Sequence, residues 1–106
     1  MEKVILIEQH KISLIDSSTN SIKWKIDVSN YIKGSYRLDN YIFLYTYDWK
    51  GSNYTSLIDI DKGTFYWKEE KLDIITNCVA INNKLFFVNS SSKIIAKNLL
   101  MLSSVI

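Results

Sequence analysis

Ser13-Leu14-Ile15-Asp16 and Trp24-Lys25 return as Ser56-Leu57-Ile58-Asp59 and Trp67-Lys68, both displaced by 43 residues (13 to 56, 24 to 67) with no gap between the blocks. Two matched blocks at one offset mark an internal repeat, and a period in this range is that of a small supersecondary unit that stacks on its neighbours. Between the blocks the positions agree in kind. Asn20 falls opposite Gly63, both tolerant of a left-handed turn, and Ile22 falls opposite Phe65.

Each copy reads as strands. In Ser21-Ile22-Lys23-Trp24-Lys25-Ile26-Asp27-Val28 apolar and polar residues alternate throughout, the period-2 signature of a strand with one buried face, so Trp24 points inward with Ile22, Ile26 and Val28. Upstream, Asp16-Ser17-Ser18-Thr19-Asn20 and Asp59-Ile60-Asp61-Lys62-Gly63 supply the turn chemistry that joins this strand to the preceding one as a hairpin. The continuous apolar runs Val4-Ile5-Leu6-Ile7 and Tyr41-Ile42-Phe43-Leu44-Tyr45-Thr46-Tyr47 predict inner strands covered on both faces. A third run, Leu85-Phe86-Phe87-Val88, is followed by the turn Asn89-Ser90-Ser91-Ser92 and the return strand Lys93-Ile94-Ile95-Ala96-Lys97, and this copy has no tryptophan strand. Segments 31–38 and 74–81 read as the fourth strand of each unit, joined to the inner runs by turns at Asp39-Asn40 and Asn82-Asn83.

The expectation is one all-β domain over residues 1–106, built from antiparallel four-stranded meander repeats of period 43 (copies approximately 1–38, 39–81 and 82–106). It has ten strands, or eleven with the tail, and little or no helix, because no segment sustains apolar spacing at 3 and 4 behind a helix cap.

A repeat of this length with Leu-Ile-Asp, a turn bearing Asn or Gly, and then Trp resembles the blade motif of quinoprotein-like (PQQ-like) β-propellers, here Leu14-Ile15-Asp16 to Trp24 and Leu57-Ile58-Asp59 to Trp67. The resemblance implies four-stranded blades with the tryptophan packed between them. About two and a half copies fall short of a closed ring of at least four blades. Either the sheets pack as an incomplete propeller or sandwich-like stack, or two chains associate to cover the open ends. A quinone-dependent oxidoreductase activity, which needs an intact ring, is not implied.

Composition narrows the function. The 47% apolar and 13% aromatic content of the 106 residues gives enough core for one domain without staples. The single cysteine, Cys78, excludes an internal disulfide and, in Cys78-Val79-Ala80-Ile81, reads as a small buried hydrophobe; a reducing cytoplasm is the expected location. Twelve of the thirteen basic residues are lysines scattered singly, against eleven acidic residues, so no cluster suits a nucleic-acid backbone. Neither the apolar run at 4–7 nor the tail Leu99-Leu100-Met101-Leu102-Ser103-Ser104-Val105-Ile106 approaches the ~20 residues of a membrane span, and the tail is expected to pack or to form a contact.

Catalytic constellations are wanting. His10 is the sole histidine, beside Glu8 and Lys11 in a hairpin loop, and reads as an exposed turn residue. One His and one Cys give no zinc spacing. Asp59-Ile60-Asp61-Lys62-Gly63 lacks the third acid of a calcium loop and reads as a turn. Glu69 and Glu70, neighbours on a strand, would point to opposite faces and could not pair as acid and base. No catalytic residue, cofactor or metal is expected.

The segment Tyr45-Thr46-Tyr47-Asp48-Trp49-Lys50-Gly51-Ser52-Asn53-Tyr54 is the best candidate for a partner-binding surface, through Tyr45, Tyr47, Asp48, Trp49, Lys50 and Tyr54. Its hairpin is longer than the counterpart Glu8-Gln9-His10-Lys11 and rich in aromatics; the alternative is that Trp49 packs back over a neighbouring sheet. Tyr31, Tyr36 and Arg37 form a second candidate. Read as a complete short open reading frame from Met1 with one domain and no export signal, the chain resembles in size and character a contact-dependent growth inhibition immunity protein. The function expected is a non-catalytic protein-binding module, a bacterial immunity protein that binds a toxin domain and occludes its active site with the aromatic hairpin and nearby acidic residues. The alternative is a self-associating propeller fragment or scaffold, as a homodimer.

Overall fold

The computed structural model describes residues 3–72 and 79–98. They form ten antiparallel strands: β1 (Lys3–Ile7), β2 (Lys11–Asp16), β3 (Ser21–Asp27), β4 (Tyr31–Leu38), β5 (Tyr41–Tyr47), β6 (Asn53–Asp59), β7 (Thr64–Leu72), β8 (Val79–Ile81), β9 (Lys84–Val88) and β10 (Ile94–Asn98). They make three meander sheets, β1-β2-β3, β4-β5-β6-β7 and β8-β9-β10, with no helix among the described residues. The protein is thus all-β, a stack of small sheets. Cys78, most of the 74–81 segment and the tail at 99–106 lie outside the described residues.

The middle sheet is buried on both sides. Alternation along β5 sends Ile42 and Leu44 one way, into a core with Ile12, Leu14 and Val28 of the first sheet's side, and Phe43 and Tyr45 the other way, against Leu85 and Phe87 of β9. The run Tyr41–Tyr47 is apolar but for the buried Thr46 for that reason, as expected of a strand without a solvent face. β1 does not follow. It is the edge of the first sheet, with Val4 and Leu6 each more than 40% exposed, so its run Val4-Ile5-Leu6-Ile7 covers one face only, through Ile5.

Segment 31–38 also departs from expectation. It does not close the first copy but opens the second sheet, pairing with β5 from Tyr31↔Tyr47 to Leu38↔Tyr41 across the two-residue turn Asp39-Asn40, with Asp39 at φ 51°. A tight turn with a left-handed residue commits its two flanking strands to each other. Asn82, 43 residues on, takes the same φ of 51° and, with Asn83 at φ 65°, joins β8 to β9. Sheet boundaries therefore fall inside the copies read from sequence.

The repeat extends to an irregularity that the sequence pattern hides. In β2–β3, Leu14 faces Trp24 while Ile15 faces Ile22, so Lys23 is an extra residue; in β6–β7, Leu57 faces Trp67 while Ile58 faces Phe65, so Tyr66 is extra. Such a bulge moves the residues beyond it to the opposite face. Trp24 and Ile26 pack toward the middle sheet, whereas Ile22, expected beside them, lies on the outer face and is 61% exposed.

Each of the two repeat tryptophans, Trp24 and Trp67, packs against the following sheet. The Trp24 indole N–H donates to the Ile60 carbonyl at 2.7 Å, and its ring covers Gly63, where a Cβ would stand 2.5 Å from Trp24 Cγ. Gly63 also sits at φ 66°, so only glycine meets both demands. Trp67 is 7% exposed, meets Phe43 edge-on at 6.5 Å, and belongs to the core shared with Leu85 and Phe87. Its indole N–H has no partner among the described residues.

Trp67→Ala should destabilise the fold by about 3–5 kcal/mol, the range for deleting a buried aromatic, whereas Trp24→Phe, which keeps most of the packing, should cost about 1 kcal/mol for the lost hydrogen bond. Urea unfolding of the two variants beside the wild type checks the order; an unchanged midpoint for Trp67→Ala would contradict the packing described.

Candidate functional site

The β5–β6 hairpin turns through Asp48-Trp49-Lys50-Gly51-Ser52. Asp48 organises it: Oδ1 accepts the amides of Lys50 at 3.0 Å and Ser52 at 2.9 Å, and Oδ2 accepts the Tyr54 hydroxyl at 3.1 Å. Backbone bonds from Gly51 N to Asp48 O and from Asp48 N to Ser52 O close the loop, and Gly51 takes φ 89°. Burial would push the Asp48 carboxyl up, but the Ser52 amide, the Tyr54 hydroxyl and the Lys50 amide outweigh it and hold the group below its ordinary value. The same hydrogen bond, with partial burial, raises the Tyr54 phenol.

This turn occurs twice. In the β9–β10 hairpin Asn89 Oδ1 accepts the amides of Ser91 and Lys93 at 3.0 Å each, and Ser92 bonds back to the Asn89 carbonyl at φ 62°. There the tip positions hold Ser90 and Ser91; in the middle sheet they hold Trp49 and Lys50. The turn therefore folds without an aromatic at its tip. Trp49 is nevertheless 81% exposed, its ring touched by the Lys50 ammonium at 5.2 Å from the centroid. The alternative that it packs back over the neighbouring sheet is thus incorrect.

Behind the tip, rings from three hairpin or strand segments line up. Tyr47 stacks on Tyr31 at 5.2 Å, and Tyr31 meets His10 at 4.6 Å. His10 lies in the β1–β2 turn, as expected, and its Nδ1–H is shared between the carbonyls of Val28 and Asn30 at 3.1 Å each, which holds the ring in place. Lys33 places its ammonium 5.8 Å from the Tyr47 ring and 5.5 Å from that of Tyr45. Beside this row an open cleft of about 430 Å³ runs between the edges of β1 and β4, lined by Ile7, Glu8, Ile32, Lys33, Gly34 and Ser35.

Of the six residues expected to meet a partner, Trp49 and Lys50 are exposed and Tyr47, Asp48 and Tyr54 are half-buried around the turn. Tyr45 is different: at 5% exposure it is a core residue packed with Leu85 and Phe87 of β9, because it shares the face of Tyr47 but lies two residues further from the tip, where the third sheet covers it. The second candidate also divides. Tyr31 joins the aromatic row, while Tyr36 packs on the core beneath β9 and Arg37 bonds the Asp39 carbonyl. Neither His10 nor Lys33 is marked in the sequence: the place of His10 depends on the first sheet docking beside β4, and that of Lys33 on the register shift between Ile32 and Gly34 in β4–β5.

The other candidate chemistry resolves into structure. Asp59 Oδ1 caps its own turn by accepting the Lys62 amide at 3.1 Å, Asp16 does likewise for Ser18, and no group of three or more potential metal ligands is found among the described residues. Glu69 sits at φ 54° in a bulge, its amide bonded to the Ser56 hydroxyl, so the strand alternation assumed for Glu69 and Glu70 does not hold there. No helix among the described residues is long and apolar enough to cross a membrane. No protein-family model and no curated protein matches the chain.

Since Asp48 titrates below its ordinary value of 3.8 in the folded chain, its hydrogen bonds contribute stability that is complete above that value and is lost as pH falls through the lower folded value. The stability gap between wild type and Asp48→Ala, read from urea midpoints, should therefore be constant near neutral pH and close only in the acid range.

Proposed function

We propose that this chain is a non-catalytic protein-binding module, a bacterial immunity protein that acts in the cytoplasm and neutralises a cognate toxin domain through the β5–β6 hairpin tip. The supporting observation is the contrast between two turns of one geometry, one tipped by serines and the other by an 81%-exposed tryptophan. Exposing an indole to water is unfavourable and the turn does not require it, so its place at the tip is accounted for by a contact outside the chain.

The tip also meets the physical demands on an anchor. Asp48, Gly51 and Tyr54 fix the loop before any partner arrives, which lowers the entropy cost of docking. Trp49 supplies the large apolar contact, Lys50 a cation beside it, and Tyr47, Tyr31 and His10 extend an amphipathic row along one side. A projecting, rigid, aromatic hairpin suits insertion into a concave surface such as a toxin's active-site cleft. Occlusion of that cleft needs no chemistry from the inhibitor.

Affinity capture from the native host, with tagged wild type beside Trp49→Ala and read by mass spectrometry, tests this. The expected result is one stoichiometric partner that is toxic when expressed alone, is neutralised by the wild type, and is held at least about thirty-fold more weakly by the variant, the loss of a hot-spot tryptophan. A partner retained equally by Trp49→Ala, or none at all, would refute the reading. Because Trp49 is 81% exposed, the variant's own unfolding midpoint should not change.

A further inference from the structure

The two terminal sheets carry apolar outer faces that the repeat itself identifies. On the first sheet the outward row is Val4, Leu6, Ile15 and Ile22. Strand register equates these with Ile42, Leu44, Ile58 and Phe65 of the middle sheet: Val4 pairs Ile15 as Ile42 pairs Ile58, Leu6 pairs Ser13 as Leu44 pairs Ser56, and Ile15 pairs Ile22 as Ile58 pairs Phe65. In the middle sheet those four positions are packed against the first sheet. The equivalent face of the first sheet has no sheet on it among the described residues, and Val4, Leu6 and Ile22 are 42%, 44% and 61% exposed.

The third sheet shows the converse. Val79, Ile81, Phe86 and Val88 stand 43 residues after Tyr36, Leu38, Phe43 and Tyr45, and Val79 pairs Phe86 as Tyr36 pairs Phe43. In the middle sheet those positions pack against the third sheet. On the third sheet Val79 is 53%, Ile81 50% and Phe86 38% exposed. One end of the stack thus repeats a face that receives a preceding sheet, and the other end repeats a face that receives a following one.

We infer that the outer face of the third sheet docks on the outer face of the first sheet of a second copy of this chain, head to tail, reproducing between molecules the packing that joins the sheets within one. A second observation fits this occupant. Inside the chain the turn that receives Trp24 must carry glycine, because a Cβ at Gly63 would strike the indole. The equivalent turn on the first sheet carries Asn20 at φ 55°, with a Cβ. The described third sheet, β8 to β10, holds no tryptophan, so that face placed on Asn20 brings no indole to collide with it. A face of one kind meeting a face of another makes a heterologous contact, which closes into a ring or propagates.

Sedimentation velocity of the full chain, at concentrations up to about 0.2 mM, tests the contact together with Ile22→Glu and Ile81→Glu, one on each face and both at exposed positions. The wild type should sediment as a dimer or larger, and each variant alone as a monomer with an unchanged strand signature by circular dichroism. An equimolar mixture of the two should form a one-to-one complex, because each supplies the face the other has lost. Ile22→Ser and Ile81→Ser should give the same pattern if the charged variants fold poorly. A monomeric wild type, association that survives either substitution, or a mixture that stays monomeric would overturn the inference. The contact is independent of the hairpin tip, so Trp49→Ala should associate as the wild type does whatever its effect on partner binding.

Discussion

A four-stranded sheet with both faces buried is the constraint from which the other elements take their places. β5 and β6 have no solvent side, so Ile42, Leu44 and Ile58 must be covered from one direction and Phe43, Tyr45 and Leu57 from the other. Two three-stranded sheets meet that demand. Each is fixed by residues that the middle sheet cannot spare: Trp24 bonded to Ile60 and laid on Gly63 on one side, Trp67 against Leu85 and Phe87 on the other. The backbone polar groups that such burial traps are paired in the ladders, and Ser56, at 2% exposure, accepts the Glu69 amide on its hydroxyl oxygen in a bulge.

Much of this was legible in the residues, because a repeat constrains two segments at once. The offset of 43 located the Asp16 and Asp59 turns, the hairpins they close and the equivalent tryptophans, and the two-faced run at Tyr41–Tyr47 marked the middle of the stack. The failures have a common cause. Val4–Ile7 has the same apolar density as β5, but periodicity cannot tell a strand buried twice from an edge strand whose second face is apolar and open. Ile22 sits in regular alternation with Trp24, yet a single extra residue at Lys23 reverses its face. Segment 31–38 reads as a fourth strand of the preceding copy, but sequence order alone does not say which neighbour a strand pairs with, and it pairs with β5.

The site was half legible. An aromatic hairpin longer than its counterpart is a sequence feature, and Trp49 stands where that feature suggested. That Asp48 builds the turn and that Asn89 builds the same turn elsewhere is a matter of hydrogen bonds, and so is the separation of Trp49 from the fold it rides on. Proximity in sequence groups Tyr45 with the tip, but it lies far enough along β5 for the third sheet to bury it. Tyr31 meets Tyr47 as its cross-strand partner, and His10 reaches Tyr31 because the first sheet is held beside β4 by bonds from Val28 and Ile32 to the β1–β2 turn. The hairpin tip and the two end faces are thus separate products of one arrangement: a rigid central sheet that lifts one turn into solvent, and a stacking mode that leaves a matching face at each end.

Native-state amide hydrogen exchange tests the central claim, that stability resides in the doubly buried middle sheet. The account predicts that amides of β5 and β6 exchange only through global unfolding, that the Trp24 indole N–H is protected with them, and that the outer strands β1 and β10 exchange earlier through local opening. Amides of β5 exchanging as fast as those of β1, or a Trp24 indole proton exchanging freely, would contradict it.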